Sequence, residues 1–221
     1  MMILPPSVPM TVPRSIRYAS CYVYSPQGVS EVCERSRLLC ALLKAGDDYI
    51  IDKSVERIQQ QVAERPQWAG CFPTAALLIP VPACVPRNRA NAAARLAEAM
   101  VRHGLGADSW CGLTRAHAVH KSATALHRPT VAMHYESLSV GALSRAPDCV
   151  ILIDDVVTKG RTLLAAAARL QAAFPMTRIH AFAALRTMGR VAEIARLLEP
   201  WRGCICWRYG DARRDFGIDS A

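Results

Sequence analysis

Asp154 and Asp155 are adjacent carboxylates in the stretch VILIDDVVTKGRT, Val150 to Thr162, where four apolar residues precede them and a turn around Gly160 follows. A turn that opens a helix exposes backbone N–H groups with no intrahelical partner, and the helix dipole adds positive potential there. Phosphate is the natural occupant of such a place. Gly160 permits close backbone approach, Thr158 and Thr162 add hydroxyls, and the amides from Val157 through Lys159, Arg161 and Thr162 can encircle the anion. Carboxylates accept hydrogen bonds from sugar hydroxyls, so two acids beside a phosphate nest suit a ribose phosphate better than a bare phosphate. Phosphoryl-acceptor and phosphatase sites also start from a strand ending in acids, but the further spaced motifs they need are absent from the chain.

The elements around this stretch must hold it in place. Cys149 to Ile153 reads as a buried strand and Leu163 to Ala173 as a small-residue helix, so strand, turn and helix agree with an anion site. Further strands are expected at Ile16 to Tyr24, Ala75 to Val81 and Ile179 to Leu185. Helices are expected at Glu31 to Ala45, Val55 to Glu64 and Arg89 to Arg102, the first stopped by Gly46. This alternation predicts an α/β fold, a doubly wound parallel sheet whose ligands bind at the carboxyl ends of the strands. Trp110 to Val140 is irregular and reads as strand, loop and strand. Val191 to Leu198 reads as a helix and Gly203 to Tyr209 as a late strand. The organisation is therefore an extended arm over 1–15, one domain over 16–190, and a helix-and-strand extension over 191–221.

Composition limits the function classes. With 221 residues, 52% hydrophobic and 20% charged, the chain can bury a sizeable core. Prolines 66, 73, 80, 82 and 86 interrupt its longest uncharged run, which excludes a spanning helix there. No secretory signal pattern stands at the start, so the expected compartment is cytoplasmic and no membrane partner is expected. The nine cysteines are an odd number in apolar surroundings, which suits reduced thiols. Cys204 and Cys206 share one side of a strand, but nothing nearby completes a zinc site, and no protein-held metal is expected. A net charge of +9 favours polyanionic partners, a phosphorylated small molecule or nucleic acid.

The segment Val150 to Thr162 resembles the phosphoribosyl pyrophosphate (PRPP) signature of the type I phosphoribosyltransferases: a hydrophobic strand, two acids, two apolar residues and a Thr-x-Gly-x-Thr loop. Lys159 and Arg161 depart from it, standing where small residues are frequent. LLIPVPACVPRNRANAAARLAEAM, Leu77 to Met100, is similar to the ComF branch, as is the aromatic strand and helix ending in Leu43-Lys44-Ala45-Gly46. The branch's N-terminal four-cysteine zinc finger is missing. The resemblance implies the type I phosphoribosyltransferase fold with a small variable hood, formed by the N-terminal segment or by the tail after Arg186. It implies transfer of a phosphoribosyl group from PRPP to a nitrogenous base or related acceptor, releasing pyrophosphate, with Mg²⁺ bound mainly through PRPP.

In that scheme Asp154 and Asp155 hold the ribose and are the catalytic acids, and Val157 to Thr162 bind the 5′-phosphate. Ala83, Arg87 and Arg89 bind pyrophosphate, and Arg115, His117, His120 and Lys121 belong to a mobile loop over it. A different class is also compatible: a ComF-like protein that senses PRPP or associates with nucleic acid, in DNA uptake or regulation, without turnover. Homo-oligomerisation is left open by the sequence.

Overall fold

The computed structural model describes residues 10–84, 91–119, 129–189 and 191–216. Its centre is a seven-stranded sheet in the order β3-β2-β6-β7-β1-β8-β9. The strands are β1 (Ser15–Tyr24), β2 (Leu77–Pro80), β3 (Asp108–Ser109), β6 (Cys149–Val157), β7 (Arg178–Thr187), β8 (Leu198–Arg208) and β9 (Asp211–Phe216); β4 (Leu113–Arg115) and β5 (Leu138–Val140) pair separately. The first five strands in the sheet are parallel, and β8 and β9 extend it antiparallel. The helices are α1 (Glu31–Ala45), α2 (Asp48–Glu64), α3 (Ala92–Arg102), α4 (Val131–Ser137) and α5 (Arg161–Ala173), with a 3₁₀ segment at Pro66–Cys71.

Continuous apolar strands need cover on both faces, and two separate cores supply it. Val150 and Leu152 of β6 join Ala181 and Ala183 of β7 against α4 and α5. Ile151 and Ile153 join Phe182 and Ala184 on the other side, against α1, α2 and α3. The period of two in the strands thus divides one sequence run between two cores. The alanines of α5, Ala165 to Ala168, are buried and let that helix lie close on the sheet. The mixed α/β architecture with a mostly parallel sheet agrees with the expectation.

Several boundaries differ for physical reasons. β6 continues through both acids to Val157, because the ladder to β7 runs as far as Val157↔Arg186 and a backbone ladder is indifferent to acidic side chains. α2 starts at Asp48, about two turns earlier than expected, because Asp47 caps it by accepting from the Ile50 N–H at 3.0 Å. Between Trp110 and Val140 a helix, α4, stands before β5.

The helix expected over Val191 to Leu198 does not form. Its apolar spacing instead serves a strap: Ile194 packs with Val23 and Cys33, and the Glu193 carboxylate accepts from the Val29 and Ser30 N–H groups ahead of α1. The Ser30 side chain first, then the Val29 N–H and the Cys33 thiol, hold the Glu193 carboxyl down to about 2.

The tail is not a detached extension. Register places Arg214 opposite Ile205, Ile205 opposite Ile16, and Arg17 opposite His180 near the start of β7. Yet the Arg214 guanidinium donates to the Thr187 carbonyl, at the end of β7. Some seven residues of strand, about 23 Å, separate these levels, so β8 and β9 must curl across the sheet rather than run flat with it.

Candidate functional site

The chain leaves β2 toward α3 on one face and leaves β6 toward α5 on the other. Adjacent parallel strands whose connections part to opposite faces open a crevice beyond their carboxyl ends. β2 pairs with β6 only as far as Pro80↔Ile153, and the last link is the Val81 N–H to the Ile153 carbonyl at 2.8 Å. Asp154 is therefore the first residue of β6 past the departing strand. Sequence order alone did not reveal this juxtaposition.

The two acids share one locality but have different neighbours. Strand alternation sends Asp154 to the α4/α5 side, toward Arg115, and Asp155 to the α1 side, where Lys44 Nζ lies 3.8 Å from its Oδ2. Each carboxylate also accepts from the next backbone N–H, Asp155 N at 2.9 Å and Val156 N at 2.7 Å. Burial first, and then the charge and side-chain hydrogen bond of Asp155, hold the Asp154 carboxyl well above the usual carboxylate range. Asp154 retains some open surface while protein atoms crowd around it, and the crowding governs its proton. Burial works against the Lys44 ammonium, but Asp155, Cys40, Tyr24 and Asp154 outweigh it and raise its pKa.

The turn that follows has the conformation its glycine implies. Gly160 is at φ +86, and a Cβ there would lie 2.7 Å from Ile205 of β8. α5 then begins with no side-chain cap, so the amides of its first turn are left for solvent or an anion. Thr158 and Lys159 are exposed, whereas Arg161 and Thr162 are half-buried.

The cationic side chains of this turn reach toward the tail. Arg161 Nε and Nη2 each donate to Asp211 at 2.6 Å, and Arg161 Nη1 donates to the Pro129 carbonyl at 3.1 Å. Lys159 Nζ is 3.2 Å from Asp211 Oδ2. These bonds, led by Arg161, hold the Asp211 carboxyl down to about 2. Asp211 thus balances the two residues that depart from the small-residue pattern.

Arg115, expected in a mobile loop, is instead buried in β4. Its Nε donates to the Ala83 carbonyl at 2.9 Å and its Nη1 to the Ser137 hydroxyl, while Nη2 has no partner among the described residues. Both partners are neutral. Beside it His134 is 1% exposed, and neither ring nitrogen has a partner among the described residues. Burial, then Arg115 and Arg161, push the His134 imidazole down to about 4. Ala83 is exposed just past β2, and Asn91 closes that turn by donating to the Val81 carbonyl at 3.0 Å while capping α3. His117 is exposed in the segment after β4. Arg87, Arg89, His120 and Lys121 lie outside the described residues.

Lys44, His134 and Asp211 were missed as site residues. Lys44 had a signal, since it stands in the Leu43-Lys44-Ala45-Gly46 helix end. Asp211 had none, because its role depends on how the tail curls. Among the described residues, no group of three His, Cys, Asp or Glu side chains gathers to hold a metal. The Cys206 thiol lies 3.2 Å from Asp215 Oδ2, and burial, then Asp215, raise it to about 11. No helix among the described residues is long and apolar enough to cross a membrane. No protein-family model matches the chain, and no curated protein does.

Proposed function

We propose that the chain is a phosphoribosyltransferase-like protein of the type I kind, close to the ComF branch, that binds PRPP at the crevice between β2 and β6 and transfers its phosphoribosyl group to a nitrogenous acceptor. The observation that carries this reading is the placement of Asp154 and Asp155 where β2 leaves β6, directly before the uncapped start of α5. The 5′-phosphate sits on the amides from Val157 to Thr162, with Lys159 and Arg161 contributing mainly backbone. Asp154 and Asp155 accept from the ribose hydroxyls and favour positive charge at the anomeric carbon as its bond to diphosphate breaks.

Arg115, a buried guanidinium with neutral partners and a spare donor, stabilises the departing diphosphate together with the turn at Ala83. Mg²⁺ would be held mainly by PRPP, with Asp154 and Asp155 as hard oxygen donors beside it, and would neutralise diphosphate charge. The β8–β9 tail is the hood of this reading, because Asp211 ties it to the phosphate turn. Catalysis is then chiefly positioning and electrostatics. Cytoplasmic nucleotide metabolism is the setting that this chemistry suits.

The test is thermal melting with Mg²⁺ and PRPP, followed by pyrophosphate release with each common nucleobase. Ligand at a hundredfold its dissociation constant stabilises by about 2.7 kcal/mol. Asp154→Asn with Asp155→Asn is expected to remove that stabilisation while the protein still melts cooperatively. No shift in the wild-type protein overturns the reading. A shift without pyrophosphate release leaves PRPP binding and removes the transfer step, and salt-sensitive retention of single-stranded nucleic acid would then identify the regulatory class.

A further inference from the structure

A second place with the character of a ligand site lies away from the crevice. A cavity of about 420 Å³ opens between β1, the first half of α1, α2 and the strap that precedes β8. Arg35 of α1, Arg57 of α2 and Arg196 of the strap line it, and among the described residues no acidic one does. Tyr22, Val32 and Leu197 supply an apolar wall. The volume falls in the range of small-molecule sites, about 300–1,000 Å³.

The three guanidiniums are not neutralised by their surroundings. Arg57 Nη1 donates to Gln60 at 3.0 Å, and Arg35 and Arg196 have no ion pair among the described residues. Of the acids next to the lining in sequence, Glu31 and Glu34 flank Arg35 on α1, and three others have partners of their own. Glu193 holds the Val29 and Ser30 amides, Glu199 holds Arg186, and Glu56 holds Lys53. Tyr22 is 7% exposed, with its hydroxyl donating to the Ser54 carbonyl at 3.4 Å, so only a small part of its ring faces the pocket.

Converging arginines from three separate elements call for an anion with more than one charge, since each guanidinium presents a fork matched to phosphate or carboxylate oxygens. The aromatic and aliphatic wall calls for a flat or apolar portion in the same molecule. We infer that this pocket binds a nucleotide, with its phosphate held by Arg35, Arg57 and Arg196 and its base against Tyr22, Val32 and Leu197. The site is distinct from the crevice: about 13 Å of α1 separates Arg35 from Lys44, which faces Asp155. The inference rests on the cavity alone and does not depend on PRPP binding.

Isothermal titration of the full chain with each of the four nucleoside 5′-monophosphates tests it, with adenosine and inorganic phosphate as the two halves of one probe. Saturable one-to-one binding is expected for at least one nucleotide, weakened about tenfold or more in the combined variant Arg35→Gln, Arg57→Gln and Arg196→Gln. All three side chains are exposed, and Arg196→Gln alone, in the strap, provides a second variant with a smaller loss in the same direction. A nucleotide is also the product of the transfer proposed above, so the titrations are repeated in the Asp154→Asn, Asp155→Asn background, where the arginine-dependent binding is expected to persist. No saturable binding of any of the four in that background, or equal affinity when the arginine substitutions are added to it, would overturn the site. Binding of an oligonucleotide by these arginines without binding of any mononucleotide would also overturn it, in favour of a polyanion-binding surface.

Discussion

His134 shows how a buried side chain reports on its charged neighbours. Its imidazole titrates at about 4 in the folded chain because burial, Arg115 and Arg161 all oppose a further positive charge. The unfolded value is about 6.5, so between these limits the unfolded chain takes up a proton that the folded chain refuses. Stability from this group is complete above about pH 6.5 and falls as pH drops toward 4, by on the order of 3 kcal/mol. Urea midpoints at pH 7 and pH 4.5 are expected to differ less in His134→Leu than in the wild type. His180, lowered by burial and by Arg17 and Arg178, keeps part of the slope with the same sign. Asp211 acts in another window, below about pH 4. An identical slope in the variant would remove His134 from this account.

At the scale of elements, the turn from β6 to α5 depends on β8. Gly160 combines a left-handed φ with a position against Ile205, so a side chain there meets backbone strain and overlap together. Gly160→Ala is expected to lower stability by at least about 2 kcal/mol, read by urea unfolding. Ile205→Ala alone costs about 2–5 kcal/mol as a core truncation. The double variant should cost less than the sum of the two single variants, because the overlap is gone and only the φ strain remains. Strict additivity would mean that the close approach is energetically idle.

At the scale of the whole molecule, the last strands complete the sheet rather than decorate it. β8 pairs along β1 from Ser15↔Cys206 to Tyr22↔Leu198, and Ile205 and Ala212 are buried with the α5-side core. Ending the chain after Leu197 would uncover β1 along its edge and strip Asp211 from Arg161 and Lys159. The truncated protein is expected to lose cooperative melting and to bind a hydrophobic dye. A soluble product with a sharp melt would instead make the tail a separable unit. The arginine pocket has its strap in the same region, so the tail bears on both candidate sites.

The sequence by itself determined much of the strand and helix order, since the period of two in β6 and β7 and the small-residue run of α5 are local properties. It also determined that two acids would precede a glycine turn at a helix start. Only the tertiary structure decided that β2 leaves β6 at Ile153 and opens the crevice at Asp154, because strand neighbours follow from crossovers and not from local pattern. It alone placed Arg115 beneath that crevice instead of in a loop, and turned Val191 to Leu197 into a strap whose Ile194 and Glu193 serve α1. The charges of Lys159 and Arg161 were ambiguous from sequence for the same reason. Their partner Asp211 lies some fifty residues away and reaches them only when β8 and β9 curl over the sheet.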